Sequence, residues 1–156
     1  MYYEIYPSLG GNIERVKSQY SIFVDEIKLL GVKITTDLKW NSNTKYITTK
    51  AYSRLWMIRR LKLLGASYSE LFNCYTKHAI SILEYCAVVW HGGLSQINSA
   101  DIERVQKAAC SIIRGQQYNS YKTALSTLGL DRVDERREAL SSKFARKAFK
   151  SEKYAN

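Results

Sequence analysis

Cys74, His78, Cys86 and His91 are the residues of this 156-residue chain whose types first suggest chemistry. Their pattern, C-x3-H-x7-C-x4-H, contains the thiolates and imidazoles that hold zinc. The spacing argues against a site. Residues 68–90 carry one apolar period, and on a continuous helix Cys86 would lie ~18 Å from Cys74 at ~1.5 Å per residue. Ligands of one tetrahedral ion sit ~2.0–2.3 Å from it. Cys74 and His78 alone share a face, and two ligands do not make a site. Three cysteines without a C-x-x-C pair read as reduced core thiols, in keeping with a reducing compartment. A Cys–His nucleophile using Cys86 or Cys110 gives way to core packing, because both thiols fall on apolar stripes. Paired acids of the D-D or D-x-D kind do not occur, nor do glycine-rich phosphate loops or a nucleophile elbow. The chain is expected not to be an enzyme by itself, and to need neither metal nor cofactor.

The stretch "ITTKAYSRLWMIRRLK", residues 47–62, points elsewhere: it has five basic residues and no acid. At ~100° per residue, Ile47, Ala51, Leu55 and Ile58 face one way, and Lys45, Tyr52, Trp56, Arg59 and Arg60 gather away from them. Tyr52 and Trp56, at i and i+4, are neighbours on the face that does not make the core. Lysine and arginine there can neutralise phosphates while aromatic rings stack on bases or sugars. The alternative is that Trp56 packs against a neighbouring strand or the final helix and the arginines are simply solvated.

Charge over the whole chain agrees with the first reading. Lys and Arg outnumber Asp and Glu by 24 to 14, a net +10. Residues 39–69 carry seven basic residues and no acid, which suggests a polyanionic partner. No apolar run approaches the ~20 residues of a membrane span, and "MYYEIYPSLGGN" lacks the pattern of a secretory signal. No membrane role is expected, and the default location is intracellular, cytoplasmic or nuclear.

The elements that must position these residues are mainly helical. Residues 1–19 are weakly patterned. "YSIFVDEIKLLGVKIT" suggests two short strands around 21–24 and 28–35, a hairpin within 20–40. Asn43 or Thr44 is a candidate cap for a helix over 44–62 that Gly65 breaks. A second helix over 68–90 places Phe72, Tyr75, Ala79, Ile82, Leu83, Cys86 and Trp90 on a wide apolar arc that "HGGLSQ" ends. A third follows Asn98 or Ser99, buries Ile102, Val105, Ala109 and Ile112, and stops at Gly115. A short helix over 120–128 stops at Gly129. A basic helix over about 132–152 aligns Val133, Leu140, Phe144 and Ala148, and its Arg136, Arg137, Arg146 and Lys147 could add a second patch or lie solvated. The expected fold is mainly α, a short N-terminal β-hairpin followed by a helical bundle over 41–118 and a basic helical extension over 119–156.

The segments "IKLLGVKITTDLKW", "AYSRLWMIRRLK", "CYTKHAISILEYCAVVWHGGL", "IERVQKAACSIIRG" and "LGLDRVDERREALSSKFARK" occur in the order seen after the catalytic core of LINE-type (non-LTR) retrotransposon reverse transcriptases. The resemblance is nearest to the jockey and CR1-like groups and spans roughly residues 20–150. It implies that Leu30, Gly31 and Val32 shape a primer-grip-like turn and that the following helices form a thumb riding the backbone of RNA or an RNA–DNA duplex. The palm and fingers of the parent polymerase would then be a partner. The family's Tyr/Phe-x-Asp-Asp loop does not precede Leu29. Ile80, Ala108 and Ser111 stand where such sequences often have arginine. The pattern reads as a truncated polymerase fragment without the catalytic palm, retaining backbone binding, or alternatively as an inert or protein-interaction remnant.

Overall fold

The computed structural model describes residues 25–150. Strands β1 (Glu26–Leu29) and β2 (Val32–Thr35) form an antiparallel hairpin in which Leu29 pairs with Val32. Leu30 and Gly31, at φ 46° and 88°, make the two-residue turn, both in the left-handed region that matches the twist of a hairpin. Gly31 is favoured by that positive φ, and a Cβ there would meet the Tyr85 ring at 3.4 Å, an ordinary van der Waals contact. The hairpin is therefore as expected, but its strands are not. The alternation over 28–35 is cut in two by the Leu30–Gly31 turn, and the strand expected at 21–24 and the weak order expected over 1–19 lie outside the described residues.

Helix α1 (Asn41–Leu63) buries Ile47, Ala51, Leu55 and Ile58, the stripe expected from the sequence. It begins earlier than expected, after Trp40, and neither Asn43 nor Thr44 caps it. Both are buried inside the first turn, where the Asn43 Oδ1 accepts the Lys33 backbone N–H at 3.1 Å and ties β2 to the helix. The helix ends in a paired reverse turn: Ala66 N–H donates to the Leu61 carbonyl and Gly65 N–H, at φ 84°, to that of Lys62.

The stretch 68–90 is not one helix. A capping box at Ser67 and Glu70 starts α2 (Tyr68–Tyr75), which runs through a π-helical turn (Thr76–Ile80) into α3 (Ser81–Glu84). Cys86 then takes a left-handed conformation, φ 52°, before α4 (Ala87–Trp90) and a 3-10 turn (His91–Gly93). The break turns Tyr85 outward, so that its hydroxyl donates to the Leu30 carbonyl at 2.9 Å and braces the hairpin turn. Trp90 Nε1–H fills the Tyr85 carbonyl at 2.9 Å. Leu71, Tyr75, Ala79, Ile80, Leu83, Ala87 and Trp90 form the buried side, while Phe72, Ile82 and Cys86 are only half-buried.

Helix α5 (Gln96–Arg114) is capped by Ser95, whose hydroxyl accepts the Asn98 N–H at 3.1 Å, and not by Asn98 or Ser99. Its core side includes Ile102, Val105, Ala109, Cys110 and Ile113; Ile112 is half-buried. Helix α6 (Tyr121–Leu128) starts at Ser120 and stops at Gly129, φ 62°, as its sequence suggests. Helix α7 (Val133–Lys150) packs only its first turns, against α3, α4 and α5. Val133 and Arg137 are buried there, whereas Leu140 and Phe144 are exposed because the helix outruns the bundle. The apolar alignment expected along its whole length thus meets the core only at its start. The fold class is as expected: a short hairpin followed by a largely helical bundle.

Asp134, in the first turn of α7, accepts from Arg132 Nε at 2.9 Å and Nη2 at 2.8 Å. The Arg132 guanidinium holds its carboxyl below the usual carboxylate value. A depressed folded-state value means that the contribution is complete above the unfolded value of ~3.9 and is lost as pH falls through the folded one. Asp134→Asn is therefore expected to be less stable than the parent chain at neutral pH, with the two urea midpoints converging as pH falls through the depressed folded-state value. A gap that stays constant into acid would remove this ion pair from the stability of α7.

Candidate nucleic-acid interface

Nothing among the described residues gathers three or more histidine, cysteine or acidic side chains into a metal-binding group. All three cysteines are free, and burial pushes the Cys110 thiol up to about 11 and raises that of Cys74. Neither is poised as a nucleophile.

The exposed side of α1 is different. Lys45, Tyr52, Trp56, Arg59 and Arg60 all lie on it, in a stripe that runs about 22 Å at ~1.5 Å per residue. Trp56 is 61% exposed and Tyr52 41%, so the alternative in which a strand or the last helix covers Trp56 does not hold among the described residues. The Arg60 guanidinium stands 5.5 Å from the Trp56 ring centroid, within cation–π range. At its N-terminal end the stripe enters a cleft of about 410 Å³, where Lys45, Thr48 and Tyr52 face Asp101 and Arg104 of α5. Asp101 neutralises Arg104 there.

Of the five basic residues in 47–62, Arg59 and Arg60 belong to this stripe, and Arg54 is exposed on another side. Lys62 instead donates to the Ile112 and Ile113 carbonyls and closes the C-terminal end of α5. Lys50 leans over Tyr46 on the hairpin flank, 4.9 Å from the ring centroid. Lys28 and Lys33 of the hairpin join it there, a gathering that the linear sequence hid because the three lysines come from different elements. Cross-strand alternation in the hairpin was the one signal that could have paired Lys28 with Lys33.

Leu30, Gly31 and Val32 are not part of the stripe. Leu30 is at the exposed tip of the turn, while Val32 is buried. The second patch suggested for α7 is broken up. Arg137 is fully buried against Trp90, 5.6 Å from its ring centroid, with Nε donating to His91 Nδ1 at 3.3 Å and Nη2 to Ser99 Oγ at 3.3 Å. Burial lowers its guanidinium value. Arg136 is paired with Glu84, and only Arg146 and Lys147 remain exposed. These two arginines sit in the turns of α7 that dock, so packing claims them before solvent or a ligand can.

Fold and face together define a hairpin-plus-helical-bundle protein with an uncovered basic and aromatic helix side. No known protein family, curated protein or solved structure matches the chain. None of its described helices is long and apolar enough to cross a membrane.

Proposed function

We propose that the chain is a thumb-like module of a LINE-type reverse transcriptase that holds RNA or an RNA–DNA duplex by its backbone, without reading sequence. It acts by binding and not by turnover. Lys45, Arg59 and Arg60 contact phosphates, and Tyr52 and Trp56 pack on sugar or base. The observation that carries this reading is Trp56, a large aromatic left 61% exposed under an arginine on a helix side without acids. An uncovered tryptophan in that setting is costly to solvation and well suited to stacking.

A protein-interaction role is the second reading, and the hairpin favours it. Ile27, Leu29 and Leu30 are exposed, and among the described residues β1 has a partner on one side only. In a polymerase this edge would meet the palm and fingers, so the two readings share a surface without excluding each other.

The test is fluorescence anisotropy of a labelled RNA–DNA hybrid across salt concentrations. Arg59→Ala with Arg60→Ala is expected to weaken binding for several unrelated sequences alike. The slope of log K against log salt should flatten by about 1.8, or roughly 0.9 for each lost phosphate contact. A slope unchanged in the double variant eliminates this face.

A further inference from the structure

We infer that Lys28, Lys50 and Tyr46 form a binding site for a phosphate group, on the hairpin flank of α1 and apart from the Trp56 stripe. The ammonium nitrogens of Lys28, Lys33 and Lys50 stand 4.8, 5.7 and 4.9 Å from the centroid of the Tyr46 ring. Lys50 Nζ donates to the Tyr46 hydroxyl oxygen at 3.2 Å, and the Lys28 ammonium lies against the same ring. Among the described residues Glu26 is the one carboxylate that pairs with these lysines, and it is already engaged by Lys33 and by the Ser42 hydroxyl. Its carboxyl is held below the usual value by those two bonds.

With the Lys50 ammonium donating to its oxygen and that of Lys28 close by, the Tyr46 hydroxyl keeps its own proton, which has no acceptor among the described residues. Every valence left free at this point is therefore a donor, two of them charged, which is the complement of a phosphate group. The backbone enforces the convergence. Lys28 pairs directly with Lys33 across the hairpin, an arrangement of like charges that weakens a sheet. Lys50 lies one helical turn from Tyr46, and the Lys33 N–H to Asn43 bond fixes hairpin and helix to each other. The cations also draw the Tyr46 hydroxyl below its ordinary value, Lys28 foremost, and an anion between them would reverse that. Nothing in this site depends on Arg59, Arg60 or Trp56.

The test compares thermal unfolding in sodium pyrophosphate with unfolding in sodium chloride at matched ionic strength and pH 7.5. Binding to the folded state raises Tm with ligand concentration until the site saturates. The parent chain is expected to show this rise, and Lys28→Met with Lys50→Met to need at least tenfold more pyrophosphate for the same gain. In chloride that variant should melt at the same temperature as the parent chain or higher, because a like-charge repulsion has been removed. A second readout is the 295 nm titration of Tyr46, taken as the parent chain minus Tyr46→Phe, whose midpoint should rise on adding pyrophosphate. Equal Tm gains in parent and variant, or no gain in either, would overturn the site. Its natural source of phosphate is read separately, by binding a labelled RNA–DNA hybrid to the lysine variant. Weakened hybrid binding identifies backbone phosphate, and unchanged hybrid binding beside lost pyrophosphate binding identifies a free phosphorylated ligand. Arg59→Ala with Arg60→Ala should leave the pyrophosphate shift intact, so failure of the stripe and failure of this site are told apart.

Discussion

Trp90→Ala is expected to lower the stability of the fold by about 3–5 kcal/mol, the range for removing a large aromatic from a packed core. Domains of this size are stable by only ~5–15 kcal/mol, so the variant should lose a large share of its stability. Trp90 is fully buried and does three things at once. Its ring fills the core beside Leu83 and Ala87. Its Nε1–H satisfies the Tyr85 carbonyl at the point where the helix breaks. Its face receives the Arg137 guanidinium, a buried cation whose Nη1 has no hydrogen-bond partner among the described residues. Alanine leaves a void, an orphaned carbonyl and an arginine stripped of its ring. Trp90→Phe keeps most of the packing and loses the N–H, and should cost about 1–3 kcal/mol. Urea unfolding followed by circular dichroism measures both. A loss below about 1 kcal/mol for Trp90→Ala would mean that α4 and α7 are not held by this side chain.

The same residues show what could be read from the amino acids and what could not. The α1 stripe of Ile47, Ala51, Leu55 and Ile58 was legible because a helix that buries one side repeats its apolar residues at three and four. Gly65 and Gly129 were legible because a helix ending in a left-handed residue favours glycine. The break at Tyr85 and Cys86 was not. Tyr75, Ala79, Leu83, Ala87 and Trp90 continue the period across it, since periodicity records which side meets the core and not whether the backbone is continuous.

The start of α5 failed for a different reason. Ser95, Asn98 and Ser99 all have capping chemistry, and tertiary partners decide among them. Asn98 Nδ2 donates to Asn41 and Ser99 accepts from Arg137, which leaves Ser95 as the cap. The candidate interface was legible as a set of residues on one side of α1. The separate duties of Lys62 and Lys50 were hidden, because the carbonyls and the ring they meet are set by how helices and hairpin pack.

Polar residues of the core are the least visible to an apolar period, and Gln106 is the clearest case. It is fully buried in the middle of α5. Its Oε1 accepts from the Tyr75 hydroxyl at 2.9 Å, and its Nε2 donates to the Asp131 carbonyl at 2.8 Å and the Tyr121 hydroxyl at 3.2 Å. Tyr121 donates in turn to Glu103, whose other oxygen accepts the Val133 N–H at 3.1 Å, the first amide of α7. Desolvation foremost, with Glu103 beside it, drives the Tyr121 hydroxyl above the ordinary phenol value, so it donates to Glu103 at neutral pH. The chain of bonds therefore fastens α2, α5, α6 and the start of α7 at one point.

Gln106→Leu keeps most of the volume and leaves the buried Tyr75 hydroxyl without an acceptor, a cost of about 1–3 kcal/mol. The lost bonds to Asp131 and Tyr121 should bring the total to about 2–4 kcal/mol. Adding Tyr75→Phe removes the stranded donor, so the double variant should recover about 1 kcal/mol of what Gln106→Leu lost. Urea midpoints of the four proteins give this coupling directly. Hydrogen exchange at the Val133 amide reports the second consequence, earlier opening of α7 once the Tyr121–Glu103 arm loses its anchor. If the two substitutions simply add, Tyr75 and Gln106 are independent, and the bundle is held by its apolar packing without this polar joint.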